Sequence, residues 1–241
     1  MRRSLSLAVL AAAALLALPR PGRAQVGYPP AHSPFRDLAK GHTVTPLVGQ
    51  LFGGGGRFKI GPHDGLTYGL RYDVRVSNPL SFSFMAARAQ TERFIQNPFV
   101  KLANRTSGPV DQPLTLLEAG LQFSLTGQKS WNRLAPYVGL GAGGAFSKSV
   151  PADTSRYAFG NKIYLHPRTG LRFFLTPAVH LRAEAGLPLW KLSYPTTFQQ
   201  EPVEEPGTPD QPNALLPLGE KTSQWTASPW LQVGLGYTFR F

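Results

Sequence analysis

The sequence predicts an all-β chain that closes into an eight-stranded antiparallel up-and-down transmembrane β-barrel with short periplasmic turns and longer extracellular loops. Three observations point there. Apolar and polar residues alternate in eight separate segments, the connections between segments alternate between short and long, and the last segment keeps its apolar face to the final residue. Alternation of period two sets one face of a strand against an apolar medium and the other against a polar one.

The opening residues 1–24, "MRRSLSLAVLAAAALLALPRPGRA", read as a cleaved export signal. Arg2 and Arg3 form its charged start, Leu5 to Leu18 its uncharged apolar stretch, and Gly22 and Ala24 the small residues before the cut. That stretch is shorter than the roughly 20 residues a spanning helix needs. No later segment approaches that length, which excludes an α-helical membrane protein. Residues 25–41 form an N-terminal segment expected in the periplasm, either disordered or tucked at the barrel mouth, and residues 42–241 form the barrel.

The first strand, "HTVTPLVGQLFGGG", is the weakest, because Pro46 and the glycines blur its alternation. In "GLTYGLRYDVRVS" the residues Leu66, Tyr68, Leu70, Tyr72, Val74 and Val76 oppose Thr67, Gly69, Arg71, Asp73 and Arg75. After the turn signal Asn78-Pro79, "LSFSFMAA" aligns Leu80, Phe82, Phe84 and Ala86. The fourth strand sets Leu117, Ala119, Leu121, Phe123 and Leu125 against Glu118, Gly120, Gln122 and Ser124. The fifth sets Val138, Leu140, Ala142 and Phe146 against glycines. The sixth sets Thr169, Leu171, Phe173 and Leu175 against Arg168, Gly170, Arg172 and Phe174. The seventh sets Val179, Leu181, Ala183, Ala185 and Leu187 against His180, Arg182, Glu184 and Gly186. The eighth, "WLQVGLGYTFRF", aligns Leu231, Val233, Leu235, Tyr237, Phe239 and Phe241.

Short connections at 77–79, 127–136 and 176–178 alternate with long ones at about 54–64, 92–113, 148–163 and 191–224, the pattern of a barrel with both termini on the short-turn side. Aromatics gather at that end: Phe82, Phe84, Phe123, Tyr137, Phe173, Tyr237, Phe239 and Phe241 read as an interfacial girdle. Pro167, Pro188 and Pro229 fall toward the opposite end, where water can replace a lost ladder bond. A soluble sandwich or lipocalin-like barrel would also alternate. It would show polar residues suited to solvent, whereas here large charges alternate with Gly and Ser, as suits a narrow lumen.

The chain carries 25 Lys+Arg against 13 Asp+Glu, and the four arginines of the leader account for part of its +12 charge. An exported basic protein is expected to meet anionic lipid, not nucleic acid. With no cysteine there is no disulfide framework and no thiol chemistry.

At this point the chain resembles the eight-stranded outer-membrane barrels of the OmpA/OmpX/OmpW type over about residues 42–241. The resemblance rests on the strand count, on "PYVGLGAGGAF" and "VGLGYTFRF", and on the terminal Phe241. It implies that Val233, Leu235, Tyr237, Phe239 and Phe241 form the signal read by the outer-membrane assembly machinery. The peptidoglycan-binding domain of OmpA-type proteins is missing from this sequence, so cell-wall attachment is not implied.

Arg71, Glu118, Arg172, Arg182 and Glu184 fall near mid-barrel and are expected to form a structural salt-bridge core, because a charge there must be paired. Arg57, Lys59, Arg93, Lys101, Arg105 and Lys148 sit in or near the long loops as candidate contacts to outer-leaflet lipid, lipopolysaccharide where present. The acidic, proline-rich "QQEPVEEPGTPDQPN" reads as a solvated tip. No catalytic residue, metal site or cofactor is expected: the histidines are scattered, and the glycine run at 53–56 is not followed by a phosphate-binding helix. The expected role is a structural or interaction protein of the bacterial outer membrane with mobile extracellular loops. The alternatives are a narrow, anion-preferring channel and a lipid-A-modifying barrel enzyme.

Overall fold

The structure, a computed structural model, describes residues 33–53, 55–151 and 153–240. The proposed leader 1–24, residues 25–32 and Phe241 lie outside the described residues. In chain order the strands are β1 (Phe35–Asp37), β2 (His42–Leu51), β3 (His63–Arg75), β4 (Leu80–Gln96), β5 (Thr106–Asp111), β6 (Leu114–Ser124), β7 (Lys129–Trp131), β8 (Leu134–Ser147), β9 (Lys162–Phe174), β10 (Val179–Gly186), β11 (Leu189–Ser193), β12 (Ser223–Ala227) and β13 (Trp230–Phe239). Eight of them make the wall: β2, β3, β4, β6, β8, β9, β10 and β13 pair antiparallel with their neighbours in that order. β13 then pairs with β2, from Trp230 opposite Leu51 to Phe239 opposite His42, and the sheet closes. Closure is obligatory in hydrocarbon, where an open edge would leave a row of N–H and C=O groups without partners.

Side-chain parity follows the sequence reading. Leu66, Leu70, Phe82, Phe84, Leu121, Leu140, Leu181, Val233 and Tyr237 point outward and are exposed, whereas Arg71, Glu118, Gln122, His166, Arg168, Arg182 and Glu184 are buried inside. An exposed apolar belt around a charged interior is the inverse of a soluble barrel. Tyr137 departs from its expected place in the girdle. Its parity on β8 turns it wholly into the interior, because Val138 and Leu140 take the lipid-facing positions.

The prolines occupy places where the ladder is already interrupted. Pro46 sits within β2 opposite Leu70 on β3. On its other side the β2–β13 ladder lapses between Leu47–Gly234 and Val44–Tyr237 without changing register. A proline has no N–H to donate there, which explains the blurred first strand. Pro167 on β9, Pro188 in the break between β10 and β11, and Pro229 in the break between β12 and β13 lie near one another. Each carbonyl accepts one bond, from Leu187 N (3.0 Å), Ser228 N (3.0 Å) and Phe52 N (2.7 Å), which stitches the gap left by the missing donors.

The long connections are more ordered than the sequence suggested. β4 runs to Gln96 and pairs with β5, so most of the predicted loop 92–113 is a hairpin, and His63, expected in a loop, opens β3 opposite Glu92. β11 and β12 extend the seventh and eighth strands beyond the wall as another hairpin. Phe58 and Ile60, Tyr157 and Phe159, and Phe198, Leu215 and Leu216 come from three separate loops and pack together on Trp190, Leu192, Tyr194 and Trp230. Phe58 meets Tyr194 edge-on at 5.1 Å and Phe159 meets Trp190 at 5.7 Å. These loops form an apolar cap. The exposed proline-rich segment is itself organised: the Glu201 carboxylate accepts from the backbone N–H groups of Gly207, Asn213 and Ala214. Those bonds, that from Gly207 foremost, hold its carboxyl below the usual range.

At the opposite mouth, β1 pairs with β7, and Leu38 N donates to Gln128 O at 2.9 Å. Leu38 then packs on Ala135 and Phe174 as a stopper.

The inverted polarity makes a direct prediction. Val233→Arg, outward on β13, is expected to destabilise the barrel by about 2–4 kcal/mol in lipid vesicles, as a cation near the midplane does. Urea unfolding in those vesicles measures it, and an unchanged midpoint contradicts the outward placement.

Candidate functional site

The described residues concentrate their chemistry in the barrel interior. β10 supplies Arg182 and Glu184 two residues apart on one face, and β3 supplies Arg71 and Asp73 in the same way. Glu184 is the hub. Arg71 binds it with both terminal nitrogens, at 2.7 and 3.0 Å, Arg182 Nη2 donates to it at 3.0 Å, and the Tyr137 hydroxyl donates at 2.7 Å. Arg182 spends its other donors on Asp73 (2.7 Å), Gln122 (2.5 Å) and the Tyr137 oxygen (2.7 Å), with its guanidinium 4.7 Å from the Tyr137 ring centre. Such a fork satisfies one arginine almost completely, as burial requires.

A second cluster lies toward the loop end. Glu118 accepts from Arg168 on one oxygen and from His166 Nδ1 (2.7 Å) and the Tyr164 hydroxyl (3.2 Å) on the other. Arg168 Nε also lies 3.8 Å from Glu184, which joins the two clusters. Here the glycines of β8 have a structural reason. A Cβ on Gly141 would lie 2.3 Å from the Glu118 carboxylate, and one on Gly139 would lie 2.9 Å from Arg168. Side chains on those positions would displace the ion pair.

Of the five charges expected to form the core, Arg71, Glu118, Arg182 and Glu184 do so. Arg172 does not: among the described residues it makes no ion pair, and its guanidinium rests over the rings of Tyr137 (5.6 Å) and Phe174 (5.8 Å). Asp73, Arg168, His166, Tyr137 and Tyr164 complete the network and were not named in it. Parity alone placed the first three inside; nothing in the sequence marks a tyrosine as a donor to a particular carboxylate.

The loop cations separate into two groups. Arg57, Lys59, Lys101 and Lys148 are exposed, with Arg57 paired to Glu220, whose hydrogen bond raises the guanidinium's already high pKa. Arg93 cannot serve as a lipid contact. It is buried, donates to Gln112 (2.8 Å) and Asp153 (2.6 Å), and lies over the Tyr157 ring, where it ties β4 to the cap. Arg105 is also buried. Val233, Leu235 and Tyr237 lie along the outer face of β13, and Phe239 stacks on Tyr237 at 6.3 Å.

Glu118 and His166 have the spacing of an acid–base pair, but His166 Nε2 meets no hydrogen-bond partner and its ring stacks on Trp230 at 5.2 Å. The geometry orients a histidine without presenting it to a nucleophile.

Neither the family models nor the curated proteins contain a match to the chain. Solved structures do match. The outer membrane protein OprG from Pseudomonas aeruginosa aligns with a TM-score of 0.51 at 13% identity, over 85% of this chain and 99% of that one. The fold is that of a small eight-stranded outer-membrane barrel. Neisserial surface protein A (TM-score 0.48, 16% identity, 86% and 98% covered) and the N-terminal β-barrel domain of OprF from Pseudomonas aeruginosa (0.43, 12%, 83% and 98%) are similar over comparable lengths. At these identities the likeness concerns the fold, not the activity.

The hub role of Glu184 is open to test. Glu184→Ala leaves Arg71 and Arg182 short of their shared carboxylate and is expected to cost about 3–5 kcal/mol. Thermal unfolding followed by heat-modified gel mobility reads this, with the exposed pair partner Glu220→Ala as a control that leaves mobility unchanged. Equal behaviour of the two variants would contradict the network.

Proposed function

We propose that this chain is an integral outer-membrane barrel with a structural or interaction role, which presents a folded cap of loops at the extracellular surface. The observation that carries this reading is that the barrel is filled and stoppered. An ionic network occupies the middle, the apolar loop cap covers one mouth, and Leu38 with Phe174 closes the other. Eight strands leave an interior that side chains can fill, so the scaffold serves rigidity over conduction. The outward row on β13 suits recognition by the assembly machinery, and the proposed leader would supply export.

In planar bilayers the purified protein is therefore expected to show no steady conductance. Stable anion-selective openings would replace this reading with that of a channel, and acyl transfer to or from lipid A would replace it with that of an enzyme.

The exposed cations Arg57, Lys59, Lys101 and Lys148 belong to the same proposal as contacts to the phosphates of outer-leaflet lipid. A variant with all four changed to Gln is expected to be retained less on lipopolysaccharide micelles at low salt. Equal retention of the two proteins would remove lipid docking from the account.

A further inference from the structure

We propose that the short-turn half of the barrel contains a binding site for a small inorganic anion such as chloride, with Arg172 as its charged donor. Arg172 is only 6% exposed, yet among the described residues no carboxylate pairs with it and its Nε is buried without an acceptor. Its rung partners are Ala135 on β8 and another arginine, Arg182, on β10. The charged groups around it are Arg182, Asp73 and Arg75. Asp73 accepts from Arg182 on Oδ2 alone, and Arg182 also draws on Glu184, so three guanidiniums share this half with fewer carboxylates.

Neutral donors gather at the same level. His180 is 1% exposed, neither ring nitrogen has a partner, and its ring lies 5.0 Å from the Phe174 ring that Arg172 also covers. The Ser124 hydroxyl is buried without a partner on a rung that faces Tyr137, whereas Ser83 faces Asp73 across its own rung. Water could satisfy the hydroxyl and the imidazole, but it leaves an unneutralised guanidinium in a low-dielectric interior, which is the costlier omission. An anion answers all these donors together. Leu38, Ala135 and Phe174 pack together at the mouth beside these groups, which favours an ion of few atoms. Entry then requires β1 and Leu38 to lift from the mouth.

The test uses the full folded protein in micelles, with chloride as the probe and gluconate as the bulky replacement. Wild-type protein is expected to broaden the chloride NMR line saturably, and Arg172→Gln to lose that broadening to the level of empty micelles. Lys221→Gln, which removes an exposed cation, keeps it. Equal broadening by wild type and Arg172→Gln overturns the site. Should Arg172→Gln fail to fold, wild-type crystals grown in bromide decide: an anomalous peak beside the Arg172 guanidinium supports the proposal, and ordered water alone there refutes it.

Discussion

A carboxylate that accepts from two arginines and a tyrosine at the centre of the barrel fixes which way every strand faces. Glu184 binds Arg71 from β3, Arg182 from its own strand and Tyr137 from β8, so three elements far apart in sequence must turn the same parity inward. Because strand parity has a period of two, one inward residue commits its whole strand, and the apolar alternates go outward with it. The apolar belt and the ionic interior are one constraint seen from two sides. A slip of one residue in any ladder would bury the belt and expose the charges to lipid.

That coupling explains what the sequence made legible. The outward row Leu66, Tyr68, Leu70 with inward Arg71 and Asp73 needs only local alternation, and the structure keeps it. Pairing partners are a different matter, since they depend on rotamers and on which strand lies across the lumen. Arg172 has the same type and parity as Arg182, yet among the described residues one is saturated with hydrogen bonds and the other makes only ring contacts; no pattern along the chain separates them. The long connections misled for a related reason. The acidic proline-rich segment is exposed as its composition suggested, but a few aromatics, Phe58, Phe159 and Phe198, suffice to pull three loops into a common core. Arg93 was read as a surface cation for want of a visible partner; Asp153, sixty residues on, supplies it.

The two ends of the barrel are closed by different chemistry. The loop end uses aromatic packing, with Trp190, Tyr164 and Trp230 continuing the barrel interior upward into the cap. The other end uses one leucine held by a short β pairing. A small paired segment exposes less apolar area than the cap and opens more readily on general grounds, since local stability follows the contacts that opening must break. Any exchange between the interior and its surroundings is accordingly assigned to the short-turn mouth.

The claim beneath all of this is that acyl chains touch one parity of residues and never the other. Methyl resonances of the protein in bilayers containing acyl-chain nitroxide lipids measure that contact residue by residue. The account predicts strong broadening of Leu121, Leu140, Val233 and Leu235 and none of the interior Leu116 and Leu192. Broadening of the interior set with sparing of the outer one would turn the barrel inside out and contradict it.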